Sequence, residues 1–138
     1  MVAEGSKLGL PEVKRSLVAG AGGVNRLPKR IARAIAIEMI ATGAPIDARR
    51  AYEVGLVNRV VPAAELMETA LGLAREIAGN APLAVYQAVA VAKAAQTLPD
   101  EAGAALADAA MDRIRPTEDF REGPRAFLEK RAPVWKGR

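Results

Sequence analysis

Residues 9–30 read GLPEVKRSLVAGAGGVNRLPKR, and three unlike things meet there. Glu12 stands behind Pro11, a short apolar run of Leu17 and Val18 follows, and a glycine-rich turn, Gly20 to Gly23, opens a basic segment. Pro11 removes a backbone donor and disfavours helix at Leu10, so Lys7 to Leu10 reads as a short strand that Pro11 ends. The glycines are not a P-loop, because no Gly-Lys-Ser/Thr follows. They are not a dinucleotide fingerprint either: counted from Gly20 and Gly22, the third glycine falls at Asn25. What remains is a tight turn feeding a helix N-terminus, with backbone N–H groups and the positive end of the helix dipole exposed. Spacing alone favours the plainer reading, in which the glycines only let the backbone turn. A lone glutamate is by default a solvated charge. The setting of Glu12 argues for more. Pro11 fixes the backbone beside it, a turn rich in backbone donors follows, and carboxylates against apolar walls can exchange protons near neutral pH.

Outward from that stretch the pattern turns helical. In RLPKRIARAIAIEMIATG, residues 26–43, Leu27, Ile31, Ile35 and Met39 recur at i, i+4, and Gly43 stands past the end as a stop. PIDARRAYEVGLV predicts a short helix that Asp47 caps and Gly55 ends. LVNRVV, residues 56–61, is the second strand candidate, with β-branched residues before Pro62. From Pro62 onward the reading is helical. Leu66, Ala70, Leu73, Ala74 and Ile77 form one apolar stripe, closed at GNAP. PLAVYQAVAVAKAAQ makes the next helix. Asp100 is placed to cap a third, which ends at Pro116. Thr117 opens the last, EDFREGPRAFLEKR, where the pair Gly123-Pro124 is a local weakness. The expected fold class is mostly α with two short strands.

Composition removes several functions. A chain of 138 residues suits one domain, and 51% hydrophobic with 26% charged is globular rather than disordered. There is no Cys, hence no disulfide framework and no thiol nucleophile, and no His, hence no Ser-His-Asp triad and none of the usual zinc sites. Chemistry is left to carboxylates, lysines, hydroxyls and backbone amides. The net charge of +4 comes with only 4% aromatics, which fits small anionic groups better than nucleic acid. The opening MVAEGSKLG has no apolar signal-peptide core, and the longest apolar stretch is too short and too polar to span a membrane, so a cytoplasmic protein is expected.

Five blocks carry a resemblance. LGLPEVKRSLVAGAGGVNRLPKRI, then Ala36-Ile37-Glu38-Met39, then TGAPIDARRAYEVGLVNRVVP, then PLAV at 82–85, and REGPRAFLEKRAPVWKGR occur in the order and spacing of the enoyl-CoA hydratase/isomerase (crotonase) superfamily. The chain resembles the C-terminal half of a member. The resemblance implies that residues 1–24 are the end of the crotonase-like α/β core, with the second active-site strand and the glycine turn. Residues 25–138 are then a helical region ending in a subdomain that contacts coenzyme A and serves oligomerisation. It also implies site roles. Glu12 sits where the family has its second catalytic carboxylate, and Gly20 matches a backbone position lining that site. Phe127 and Lys130 match positions on the terminal helix that help to hold coenzyme A. In physical terms Lys130 is a cation for a phosphate and Phe127 an apolar face for adenine.

The implied reaction is addition of water to a 2-enoyl-CoA thioester, with coenzyme A as part of the substrate, no prosthetic group and no metal. The implied setting is fatty-acid β-oxidation, and the implied assembly a homotrimer or dimer of trimers. Isomerisation or other enolate chemistry is the alternative within the family. A non-catalytic helical oligomerisation module is the rival from another class. The missing half would carry the oxyanion-hole amides and the other catalytic carboxylate, so the chain alone is expected to be inactive. Two positions depart from the family pattern: Ala19 stands where Pro often precedes the glycine turn, and Ser16 where Gly is usual.

Overall fold

The computed structural model describes residues 1–138, of which 62% are helical. The contacts divide the chain into two compact units, Met1–Leu71 and Gly72–Arg138.

The β structure all lies in the first unit. Strand β1 (Val2–Ala3) runs parallel to β4 (Val60–Val61), with Val2 opposite Val60, and β2 (Lys7–Leu8) runs antiparallel to β3 (Ile46–Asp47), with Lys7 opposite Asp47. The strands expected near 7–10 and 56–61 are therefore present in shortened form. Their partners, Val2–Ala3 and Ile46–Asp47, are too short to show an alternating pattern, and sequence reasoning passed over them. Gly9 follows β2 at a close approach: a Cβ there would lie 2.8 Å from Pro45 Cα, so only glycine lets the two backbones pass.

The helix expected across 26–43 is interrupted. Helix α1 covers only Gly23–Arg26 and runs into a 3₁₀ turn, Leu27–Lys29; after an extended Ala32, α2 begins and covers Arg33–Thr42. Pro28 lacks an N–H and so ends the α-type ladder of α1, but Leu27 before it stays helical at φ −57°, ψ −47°, and the chain leaves the helical region only at Ala32. The apolar periodicity still selected the right side chains. Ile31 and Met39 are buried with Ala36, and Leu27, Ile35, Ile46, Val54 and Leu56 pack around them. Gly43 closes α2 in the left-handed conformation, φ 60°, as the stop signal required. Helix α3 (Ala48–Glu53) is capped as expected: Asp47 Oδ1 accepts from Arg50 N at 2.7 Å.

Helix α4 (Leu66–Ala78) contains the boundary between the units. The second unit continues with α5 (Pro82–Ala94), α6 (Asp100–Ile114) and α7 (Glu118–Leu128). Asp100 is not the cap of α6. Pro99 takes that position without a side-chain bond, and Asp100 and Glu101 fall in the first turn, where the helix dipole favours their charge. Thr117 does cap α7, its Oγ1 accepting from Phe120 N at 3.1 Å. Pro124 sits inside α7 without ending it. The helix stops at Leu128, three residues short of the expected Arg131.

The core is thin. The buried apolar residues are Ala19, Ile31, Ala36, Met39, Ala48, Ala51, Ala110 and Ala126, and no large side chain is fully buried. Met67, Leu71, Tyr86, Phe127 and Leu128 are exposed. No helix is long and apolar enough to cross a membrane.

Candidate functional site

Glu12 lies in the first turn of a 3₁₀ segment, Pro11–Arg15, which Pro11 opens and Ser16 closes in the left-handed conformation at φ 56°. The segment's C-terminal end is pinned: Leu17 N donates to the Glu12 carbonyl at 3.1 Å, and Ser16 N to the Val13 carbonyl at 3.3 Å. The segment packs against the end of α2, where a Cβ on Gly43 would lie 3.1 Å from Val13 Cγ2 and 3.2 Å from Lys14 Cε. Within this frame the Glu12 side chain is half-buried, and its Oε2 is a buried polar atom with no hydrogen-bond partner in the protein. Buried carboxylate oxygens nearly always have a partner, so an orphan of this kind marks a place for a water or a ligand. It is the strongest chemical signal in the first unit.

The glycine turn follows in the same unit. Ala19 is buried. Gly20, which is exposed, faces open space where a Cβ would sit. Ala21 (φ 50°) and Gly22 (φ 92°) both take left-handed backbone, and Gly23 N donates back to the Gly20 carbonyl at 3.1 Å. Because α1 is four residues long, the macrodipole invoked from the sequence is small here. What Gly20 offers is an unobstructed main chain beside exposed Leu17 and Val18.

Phe127 and Lys130 belong to the second unit. Phe127, in the last turn of α7, is 83% exposed. Lys130 lies just beyond, at φ 53°, with its N–H donating to the Phe127 carbonyl at 3.2 Å. The two therefore share one turn. Around that turn lies a charged cluster that sequence reasoning missed. The Arg131 guanidinium forks onto both carboxylate oxygens of Glu122, with Nη2 to Oε2 at 2.9 Å, and donates through Nε to Glu129 Oε2 at 2.6 Å. Glu129 also accepts from Arg125 Nε at 2.8 Å. The Arg131 hydrogen bonds, with the Val134 N–H, hold the Glu122 carboxyl down at about 2. Arg125 and Arg131 lower Glu129, and Glu122 and Glu129 raise Arg131.

The residues after Arg131 form a strap on α7. Buried Asp119 accepts from the backbone N–H groups of Lys136 at 2.7 Å and Gly137 at 2.9 Å. Glu118 accepts from Lys136 Nζ at 2.7 Å and pairs with Arg138 Nε at 3.0 Å, with Lys136 the main cause of its lowered pKa. Trp135 Nε1 donates to the Gly79 carbonyl at 2.8 Å, and its ring covers Gly123. A signal for this was present in the sequence: Glu118, Asp119 and Glu122 open a helix, and Arg131, Lys136 and Arg138 lie within reach of it.

The sequence profile of the enoyl-CoA hydratase/isomerase family matches residues 1–138. The chain belongs to the enoyl-CoA hydratase/isomerase family. Carnitinyl-CoA dehydratase of Salmonella typhi is 44% identical over 140 residues, covering 99% of this chain and 54% of that protein. Among solved structures, enoyl-CoA hydratase from Bacillus anthracis superposes with a TM-score of 0.96 at 39% identity, over 99% of this chain and 54% of that one. Enoyl-CoA hydratase from Mycobacterium tuberculosis H37Rv gives 0.87 at 40%, over 99% and 55%. The chain spans about half the length of the curated relatives it matches. As an enoyl-CoA hydratase/isomerase family member it thus has the α-rich part of the crotonase-type fold, and the mostly helical class read from the sequence stands.

Proposed function

We propose that this chain is the C-terminal half of an enzyme that adds water across the double bond of a 2-enoyl-CoA thioester. The observation that carries the reading is the buried, unpartnered Oε2 of Glu12, held on a pinned turn in a chain of this family. In the proposed step Glu12 passes a proton between water and substrate. The water oxygen bonds to C3, a proton goes to C2, and the C2–C3 double bond is consumed. The reverse step is a dehydration, the reaction named for the Salmonella relative.

Gly20 lines the thioester with bare main chain. Phe127 takes the adenine face and Lys130 a phosphate of coenzyme A. Residues 1–24 complete the reacting end, and 25–138 supply helices, coenzyme contact and assembly. Stabilisation of the thioester oxyanion falls to backbone donors outside these residues, typically worth about 10²–10³ in rate each. The isolated chain is therefore inactive on this reading. A homotrimer, a cytoplasmic location and a place in β-oxidation belong to the same proposal.

The test compares this chain, a full-length version carrying it, and full-length Glu12→Gln for turnover of a 2-enoyl-CoA. Glutamine keeps shape and hydrogen bonding but cannot carry the proton, so turnover falls about 10²–10⁴-fold with little change in stability. Full turnover by Glu12→Gln overturns the role of Glu12, and robust turnover by the isolated chain overturns the division of the enzyme. The alanine-dominated core favours a second reading, a helical assembly module with an idle Glu12. Coenzyme binding separates the two.

A further inference from the structure

Lys130 occupies a position that lysine disfavours. Its N–H bonds the Phe127 carbonyl, and Arg131 N bonds the Ala126 carbonyl at 3.1 Å. That pair of bonds is a Schellman closure of α7, in which the left-handed residue is usually glycine. Here the left-handed residue is Lys130, φ 53°. A side chain in this region is strained, and such strain persists where the surroundings over-determine it. The residue that follows supplies the determination. Arg131 carries the second Schellman N–H, and its guanidinium reaches back over the closure to Glu122 and Glu129. Glu122 is further fixed by the Val134 N–H at 2.8 Å, so the clamp is anchored in α7 on one side and in the strap on the other. A glycine at 130 would relieve the strain and remove the cation.

We propose that Arg131, locked onto Glu122 and Glu129, is a positioning residue that holds Lys130 left-handed so that its cation and the exposed Phe127 ring are presented together to coenzyme A. This rests on the coenzyme reading given above and adds to it the device that sets the geometry. Arg131 itself touches no substrate. Its planar fork is the reason lysine cannot replace it, since an ammonium has no bidentate match to a carboxylate.

The experiment measures coenzyme A binding by calorimetry and the residue-130 α-carbon chemical shift by NMR in the full chain. It uses the unsubstituted protein, Lys130→Ala, Lys130→Gly, Arg131→Lys, Glu122→Gln and the double variant Lys130→Ala/Arg131→Lys. Lys130→Ala and Arg131→Lys should each weaken binding about tenfold, the scale of one charge-assisted contact. The double variant should bind no more weakly than Lys130→Ala, because both changes remove the same contact. Arg131→Lys and Glu122→Gln should lose the left-handed shift at 130, and Lys130→Ala should keep it. Lys130→Gly should raise the urea midpoint while weakening binding, a split that a purely structural residue does not produce. An unchanged shift in both clamp variants, or additive losses in the double variant, overturns the proposal. Equal binding by Lys130→Ala and the unsubstituted protein, or no binding at all, overturns the coenzyme reading and the proposal with it. The shift in Arg131→Lys tells that failure apart from a failure of the clamp.

Discussion

Replacing Asp119 should release the strap while leaving α7 folded. Asp119 is 4% exposed and its two oxygens accept the N–H groups of Lys136 and Gly137 at 2.7 and 2.9 Å. Hydrogen bonds to a charged group contribute about 1.5–3 kcal/mol each. Asp119→Asn keeps one acceptor oxygen and turns an amide toward the other donor, so it should cost about 1.5–3 kcal/mol, roughly a 10- to 150-fold fall in the closed-to-open ratio of the strap. Asp119→Ala removes both acceptors and should cost about twice that, less whatever the freed N–H groups regain from water. Trp135 is the only tryptophan and lies in the strap, so its fluorescence reads the event directly. Red-shifted emission and stronger acrylamide quenching should appear in Asp119→Ala without a matching loss of far-ultraviolet helix signal. Unchanged emission and quenching in Asp119→Ala would show that the salt bridges of Glu118 and Glu122 hold the strap without it, and the hydrogen-bond reasoning would be wrong.

Acid should open the same region. Glu122 is lowered from 4.5 to about 2, so its contribution is fully present above about 4.5 and disappears as pH falls through 2. A pH titration of Trp135 emission should show a transition in that window, and Glu122→Gln should shrink its amplitude; a transition of undiminished size in Glu122→Gln would exclude Glu122 as its source. Gly9→Ala would place a Cβ 2.8 Å from Pro45 Cα, a backbone contact that cannot swing away, and should cost about 1–3 kcal/mol in urea unfolding; a wild-type midpoint would mean that the backbones part freely. With Met67, Leu71, Tyr86 and Phe127 exposed over an alanine core, the chain should self-associate or aggregate, and light scattering from a stable, dilute monomer would count against the assembly reading.

Much of the fold was legible because its signals are local. Gly43, Asp47 and Thr117 end or open helices through bonds three or four residues long, and the structure makes those bonds. Pro28 was equally visible, but the periodicity of Leu27, Ile31, Ile35 and Met39 outweighed it, and tertiary packing preserved that face through the break. Strands of two residues have no period to detect. The charges of the strap were visible in the sequence, but its path was not, because APVWKGR has no periodicity and its partners lie 17, 18 and 56 positions away. For the candidate site, the sequence offered only the Pro11-Glu12 context and the terminal AFLEK as proposals, whereas the orphaned oxygen of Glu12 and the left-handed Lys130 exist only once the chain has folded.

The strap also sets an order of events during synthesis. A ribosome delivers Glu118, Asp119 and Glu122 before the residues that neutralise them, so the nascent second unit carries an acidic helix start with nothing to pair. Closing a loop of this size takes on the order of a microsecond or less once its far end is free, far faster than the residue-by-residue delivery of that end at about 5–20 residues per second. Closure is thus governed by translation and not by diffusion. Until residues 131–138 have emerged, Trp135 is wet and Glu118, Asp119 and Glu122 lack the partners that the strap brings them.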